Sequence, residues 1–220
     1  MSTTLLIAGF GRFPGAPTNP SATLARALAQ RRRTAFDGIK RVAHVFPTSY
    51  AAVDRELPKL IANHRPAAVV LFGLAGRTRF VRIETQARNA MSVLFPDVTG
   101  VVPAATRIDA LAPPRRKGSA PFVRLLAAAR TMRIDTRLSH DAGRYLCNYA
   151  YWRAIEASAN DRGPSLVVFV HVPQVRSAPR ARRGKYHAMI TAADLARASE
   201  AIVLAVATAA ARVSARSSRH

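Results

Sequence analysis

A single cysteine, Cys147, is the residue of this sequence best placed for nucleophilic chemistry. It follows a turn of small residues and begins an apolar, helix-like run. In the first turn of a helix, unpaired backbone N–H groups and the positive end of the helix dipole favour thiolate over thiol, and the same groups can hold an oxyanion. Taken alone, however, a lone cysteine is more often a small buried hydrophobic residue. Its partners elsewhere in the chain decide between these interpretations.

A histidine and a glutamate are the candidate partners of this thiol. His171 follows the continuous apolar run Ser165–Val170, which is typical of a strand buried on both faces. Open α/β sheets place their sites at the carboxyl ends of strands, where we expect this histidine. Glu84 follows a strand-and-turn segment, residues 68–76. Cysteine, histidine and a carboxylate are the parts of an activated-thiol hydrolase: nucleophile, general base and acid, and the group that orients the imidazole.

Several short segments occur in an order that matches a known family. They are Gly9–Gly15 with Asn19-Pro20-Ser21, Gly73–Gly76 with Glu84, Ala87 and Asn89, Pro96-Asp97 with Gly100, Ala142-Gly143 with Cys147-Asn148, and His171-Val172-Pro173. In order and separation they resemble the type I pyroglutamyl peptidases, also called pyrrolidone-carboxylate peptidases, a family of cysteine peptidases. Any one segment is a weak signal, but the ordered set extends over most of the chain.

The resemblance implies a reaction and a role for each of the three chemical groups. Cys147 would be the nucleophile, His171 the base and then the acid, and Glu84 the carboxylate that orients the imidazole. The implied activity is that of a cysteine exopeptidase, which hydrolyses an N-terminal pyroglutamyl residue from peptides through an acyl-enzyme and without a cofactor. The resemblance also implies a homodimer or homotetramer.

A pocket for the pyroglutamyl ring is the second implication of the resemblance. Phe10, Phe13 and Tyr145 would form it, with Leu146 beside them. Without the family context the two phenylalanines would be assigned to an ordinary core, because buried aromatic residues are common. The Gly/Pro-rich loop after the first predicted strand argues for the pocket, because it brings them to the carboxyl edge of the sheet. Flat aromatic faces suit a small lactam ring.

Three positions depart from the family pattern around the predicted site. Tyr145 stands where bacterial members often have phenylalanine, and its added hydroxyl needs a partner or water. Leu74 replaces the glutamine of many bacterial members. Leu94 stands where the family commonly keeps an arginine, so that a positive charge is missing from this position. These departures bear on substrate preference and rate more than on the three catalytic candidates.

Alternating strand-like and helix-like segments predict a single α/β domain over residues 1–213, with a frayed basic tail at 214–220. We expect an open, mainly parallel, twisted sheet with helices on both faces, a three-layer α/β/α sandwich. Asn19 and Pro20 supply an N-cap and a first-turn proline for the first helix, and Pro58 should kink or divide the second. Strands are predicted over 3–9, 42–46, 67–72 and 165–170, helices over about 19–33, 48–64, 121–132, 147–159 and 192–213, and a long surface connection over 97–120.

Length and composition fit a cytoplasmic enzyme. A chain of 220 residues can bury on the order of 70% of its unfolded surface, so it needs no disulfide or metal for stability. The amino terminus lacks the basic region of a signal sequence. The longest apolar stretch, residues 201–211, is shorter than the ~20 residues of a membrane-spanning helix. The histidines show no zinc-ligand spacing and no phosphate-binding loop is present, so neither a metal nor a nucleotide cofactor is expected.

The charge of the chain is the one property that a peptidase does not explain. It carries 34 basic and 12 acidic residues, a formal charge of +22, which predicts attraction to polyanions. Short basic clusters at 31–33, 115–117 and 176–185 lack the regularly interleaved aromatic residues of single-strand binders. We interpret the charge mainly as a solvated surface with nonspecific polyanion binding as a side property. The alternative to an enzyme is a noncatalytic peptidase-like protein that binds nucleic acid or another polyanion through this surface.

Overall fold

The structure is a computed structural model that describes residues 3–13, 17–175 and 190–217. The basic cluster at 176–185, part of the loop after the first strand, and the last three residues of the predicted tail lie outside the described residues. All seven predicted site residues lie within them.

A mixed, mostly parallel sheet organises the chain. Its strands follow the order β2-β1-β3-β8-β4-β7, with β4 antiparallel to β8 and every other neighbouring pair parallel. Two further short strands, β5 and β6, form a separate antiparallel pair. The strands are β1 (Thr3–Phe10), β2 (Ile39–Phe46), β3 (Ala68–Leu74), β4 (Val81–Glu84), β5 (Gln86–Arg88), β6 (Arg115–Lys117), β7 (Thr136–Ser139) and β8 (Leu166–Val172).

In the part of the chain that the structure describes, five α-helices cover the two faces of this sheet, as the alternating pattern predicts. In β1, Leu5 and Ile7 face the layer formed by α1, α3 and α5, whereas Leu6 and Ala8 face α2 and α4. Strands buried on both faces need apolar residues at successive positions, which explains the continuous apolar runs of the central strands. The predicted α/β class is therefore confirmed. The helices are α1 (Pro20–Gln30), α2 (Tyr50–His64), α3 (Phe122–Thr131), α4 (Leu146–Ala157) and α5 (Ala192–Ser217).

Each helix begins within two residues of its predicted start, and the largest differences are at the ends of α1 and α5. Asn19 caps α1 by accepting the backbone N–H of Ser21, and Pro20 is the first helical residue. Pro58 does not divide α2, which is continuous. This proline lies on the exposed side of the helix, where water can satisfy the carbonyl that loses its partner. The final helix continues beyond 213 to Ser217, so four residues of the predicted tail are helical.

Strands β4 to β7 were missed because each has only three or four residues, too few for a periodic pattern. Within the described residues, α5 alone is long and apolar enough to cross a membrane by length and composition. The apolar stretch noted in the sequence, residues 201–211, is only part of this 26-residue helix. Leu195, Ile202 and Val206 on its apolar face are buried in the core against the sheet, which is the arrangement of a core helix.

Candidate active site

The carboxyl ends of the parallel strands meet the start of α4 at one cavity of about 260 Å³. Phe10 ends β1, His171 lies near the end of β8, and Cys147 is the second residue of α4. A sheet that is open at this edge commonly places its ligand there. The lining residues are Phe10, Phe13, Asn19, Thr48, Leu74, Arg82, Ala142, Gly143, Arg144, Tyr145, Leu146, Cys147 and His171.

Glu84 and His171 form a buried hydrogen-bonded pair behind this cavity. The Nδ1 atom of His171 lies 2.7 Å from Oε1 of Glu84, whose side chain is fully buried. With the proton on Nδ1, the imidazole donates to the carboxylate and leaves Nε2 free to accept a proton. Burial lowers the pKa of His171 more than the neighbouring carboxylate raises it, so the imidazole is neutral at neutral pH and can serve as a base.

The antiparallel strand β4 makes this pairing possible. Its register places Arg82 opposite His171 and Glu84 opposite Phe169. The backbone carbonyl of Glu84 accepts a 2.8 Å hydrogen bond from the buried hydroxyl of Tyr151, which holds the strand end in place. The sequence predicted the carboxylate but not the strand that carries it.

Cys147 reaches the pocket because the facing strand has no side chain at Gly73. A Cβ atom built on Gly73 would lie 2.7 Å from the Cys147 Sγ atom and 2.6 Å from the Phe169 ring. Gly73 is also the register partner of His171 in β3 and β8. The sulfur therefore lies over the strand beside the histidine, although no hydrogen bond joins these two described side chains.

The surroundings of Cys147 favour the protonated form of its thiol. Burial raises the pKa of Cys147 to about 12, an effect that the nearby Glu84 reinforces and that Arg82 and the backbone N–H of Cys147 oppose. A helix start was expected to favour the thiolate. Burial outweighs the helix terminus here because it removes the water that would solvate the charge. A base must therefore take the thiol proton when the nucleophile attacks.

Aromatic residues line the opposite side of the cavity. Phe10 is 2% exposed, and its ring centroid lies 6.3 Å from that of Phe169. The rings of Phe13 and Tyr145 are also 6.3 Å apart. The hydroxyl of Tyr145 donates a 2.7 Å hydrogen bond to the carbonyl of Pro96, which supplies the partner that this substitution requires. Leu146 is 1% exposed, lines the cavity and belongs to the core cluster against which Cys147 packs.

The Asn-Pro-Ser segment positions the first aromatic residue. The backbone N–H of Phe10 donates to Oγ of Ser21 at 3.0 Å, and the Nδ2 group of Asn19 donates to the carbonyl of Gly11 at 3.0 Å. A Cβ on Gly9 would lie 2.3 Å from the backbone oxygen of Ser21, so only glycine permits this close approach. The segment thus ties the end of β1 to the start of α1.

Two buried asparagines hold the loops around the site. Asn148 accepts from the backbone N–H of Arg88 and donates to the carbonyls of Arg88 and Ala90. Asn89 accepts from the backbone N–H groups of Ile108 and Asp109. Both side chains bind backbone groups and neither lines the cavity, so these two motif residues stabilise the loops.

Two charged lining residues, Arg82 and Arg144, carry no predicted role in the sequence. Arg82 follows the alternation of β4 and shares a face with Glu84, a signal that was hidden because the strand itself was not predicted. Among the family departures, Leu74 lines the cavity. Leu94 is 78% exposed and is not one of the lining residues.

Fold and site together describe an α/β protein with a cysteine, a histidine and a carboxylate at the carboxyl edge of its sheet. A family model described as pyroglutamyl peptidase matches residues 3–214. The chain belongs to this family, whose members are cysteine hydrolases.

Named relatives agree with this membership. Pyrrolidone-carboxylate peptidases from Thermococcus kodakarensis and Deinococcus radiodurans are 30% and 31% identical to the chain. These alignments cover 77% of this chain in both cases, and 80% and 78% of the relatives. The solved pyrrolidone carboxyl peptidase from Thermococcus litoralis superposes with a TM-score of 0.82 and 25% identity, over 93% of either chain. Sequence and fold therefore point to the same family.

Proposed function

We propose that this protein is a cysteine exopeptidase that removes an N-terminal pyroglutamyl residue from peptides, with Cys147, His171 and Glu84 as its catalytic triad. The observation that carries the proposal is the 2.7 Å contact between His171 Nδ1 and Glu84 Oε1. This contact holds the imidazole at a cavity that the Cys147 thiol also lines. Family membership supports the same activity.

The reaction begins with proton transfer from the thiol to Nε2 of His171 as sulfur attacks the carbonyl carbon of the pyroglutamyl residue. Unpaired backbone N–H groups in the first turn of α4 are the candidate donors to the resulting oxyanion. The tetrahedral intermediate collapses, the C–N bond breaks, and the imidazolium gives its proton to the leaving amine. Glu84 stabilises the imidazolium during this cycle.

Hydrolysis of the thioester repeats the same proton transfers. Water gives a proton to the neutral His171 and its oxygen attacks the acyl carbon. Collapse of the second tetrahedral intermediate releases pyroglutamate and restores the Cys147 thiol with the proton held by the imidazole. The reaction consumes one water and needs no redox partner.

The aromatic side of the cavity suits the lactam ring. Phe10, Phe13 and Tyr145 present ring surface to a cavity near the lower end of the usual size for small-molecule sites. A five-membered lactam offers a flat apolar face and one amide edge, so ring contacts and a few polar groups can select it.

A hydrolysis assay with a pyroglutamyl arylamide under reducing conditions tests the proposal. Wild type should release the arylamine, iodoacetamide should abolish the activity, and folded Cys147→Ala and His171→Ala should be inactive. Glu84→Gln should retain partial activity, because an amide oxygen still accepts the Nδ1–H bond. Wild-type rates in purified Cys147→Ala would refute the mechanism, and no hydrolysis by the wild type would favour the noncatalytic alternative.

Three properties of the protein in solution belong to the same proposal. We expect a homodimer or homotetramer in the cytoplasm, which light scattering after gel filtration and cell fractionation would test. The formal charge of +22 supports weak binding to nucleic acid or another polyanion. Such binding should be independent of sequence and fall by ~10³ or more between 50 and 200 mM salt if six or more phosphates are contacted. Tight, sequence-selective binding would point to the alternative function.

A further inference from the structure

We propose that Arg82 is a positioning residue for the triad, a guanidinium that lies against Glu84 and His171 and favours the neutral imidazole before the thiol reacts. The inference rests on the proposed function and adds a fourth side chain to it.

The contacts of Arg82 converge on the two partners of the nucleophile. Its Nε atom lies 3.1 Å from Oε1 of Glu84, and its Nη2 atom lies 3.2 Å from Nδ1 of His171. The arginine side chain is 24% exposed and also lines the cavity. Alternation along β4 puts Arg82 and Glu84 on one face of the strand, directly beside β8. The guanidinium is therefore held by the sheet register.

Arg82 acts on the imidazole mainly through its charge. Guanidinium nitrogens can only donate, so Nδ1 cannot accept from Arg82 while its own proton is donated to Glu84. The Nδ1 atom of His171 lies 2.7 Å from Oε1 of Glu84 and 3.2 Å from Nη2 of Arg82, so the contact with the carboxylate is the shorter. With the Nδ1 proton on the carboxylate side, the positive charge beside the ring disfavours a second proton on Nε2.

Two arginines line the cavity beside His171, and Arg82 rather than Arg144 is the cation that acts on the imidazole. Glu84 faces the ring from β4, the nucleophile's thiol lies on α4, and Asp141 follows β7 and favours the imidazolium at longer range. Asp141 is itself paired with Arg88 at 2.8 Å. Burial already lowers the pKa of His171, whereas the fully buried carboxylate of Glu84 raises it. Arg82, which contacts the same carboxylate, opposes that rise.

The sign of the effect is the same for both reacting groups. A positive charge beside an imidazole disfavours the imidazolium and lowers the pKa of His171, and the same charge favours the thiolate and lowers the pKa of Cys147. Removing the charge should raise both pKa values. The acid limb of the activity should then move to higher pH, because the base must be neutral to accept the thiol proton.

The test compares Arg82→Gln and Arg82→Lys with Arg137→Gln, all checked for folding by circular dichroism and thermal melting. Arg137 is a matched control: it is the register partner of Arg82 on β7, but its side chain is 56% exposed and paired with Asp135. The first readout is the pH profile of kcat/KM for a pyroglutamyl arylamide. The second is the rate of iodoacetamide alkylation of Cys147 at pH 8.

We expect the acid limb of Arg82→Gln to rise by about one pH unit. A higher pKa of Cys147 lowers the fraction of thiolate and raises the nucleophilicity of each thiolate, and the first effect is the larger. The rate of alkylation should therefore fall about threefold to tenfold. Arg82→Lys should retain most of the wild-type behaviour, and Arg137→Gln should match wild type. A folded Arg82→Gln with an unshifted acid limb would overturn the proposal, and a raised KM with an unshifted limb would make Arg82 a substrate contact. Alkylation reports on Arg82 even if the wild type hydrolyses no pyroglutamyl substrate, so this failure is distinct from failure of the proposed function.

Discussion

Replacement of Gly73 by alanine tests the site geometry at its tightest point. A Cβ at this position would lie 2.7 Å from the Cys147 Sγ atom and 2.6 Å from Cζ of Phe169. Optimal separations between non-bonded carbon atoms are about 3.5–4.0 Å. The sulfur, the ring or the strand must therefore move by about 1 Å in Gly73→Ala.

The size of this clash sets the expected loss of stability and of activity in Gly73→Ala. Inserting a methyl group into a packed interior typically costs about 1–3 kcal/mol of unfolding free energy. For a chain of this size, about 2 kcal/mol corresponds to a fall in Tm of roughly 4–8 °C. A 1 Å displacement of a reacting group can cost about 10²-fold in rate. We expect kcat/KM for a pyroglutamyl arylamide to fall by about this factor.

A matched control separates the local clash from a general effect of replacing glycine. Gly76 lies three residues further on, has no atom within 4 Å of a built Cβ, and does not adopt a positive φ. Gly76→Ala should keep wild-type activity and Tm. The assay is arylamide hydrolysis together with thermal unfolding of both variants. Wild-type kcat/KM and Tm in Gly73→Ala would refute the close approach of the thiol to this strand.

Three further variants test the pocket, the loop clamp and an acid-sensitive contact. Phe13→Ala and Tyr145→Ala should weaken turnover of pyroglutamyl substrates while iodoacetamide still alkylates the thiol, whereas Tyr145→Phe should be mild; unchanged kinetics in both alanine variants would assign these rings to the core. Asn148→Ala should lose about 3 kcal/mol in urea unfolding, because three backbone groups lose their partner, and exposed Asn160→Ala should not. Burial raises the pKa of Asp97, but hydrogen bonds from Thr99, Val101 and Tyr50 outweigh it and hold the pKa below its usual value. This contact should therefore stabilise the fold above the unfolded pKa of about 3.9 and lose its effect as pH falls further; an acid-unfolding curve unchanged in Asp97→Asn would contradict it.

The central strands and the predicted chemical groups were accessible from the sequence. The apolar runs in β1, β3 and β8 predicted strands buried on both faces, because a strand covered by helices on two sides needs apolar residues at successive positions. Asn19 and Pro20 predicted the start of α1, since a cap and a first-turn proline act on their own backbone. These signals are local, so a linear pattern contains them.

The resemblance to a family also identified residues that the structure brings together. Six of the seven predicted site residues line one cavity, and Glu84 lies directly behind His171. Their catalytic and binding roles remain predictions for the assays. The residue types and their order carried this information, but not the distances between them.

Only the tertiary structure decided what surrounds these groups. The short strand β4 runs antiparallel to β8, and this register places Arg82 against His171. Burial raises the pKa of the Cys147 thiol, although its place at a helix start suggested a thiolate. A strand register is set by the packing of segments distant in sequence, and burial depends on every element around a group. The residues next to the cysteine or the histidine in the sequence therefore determine neither the strand register nor the burial of the site.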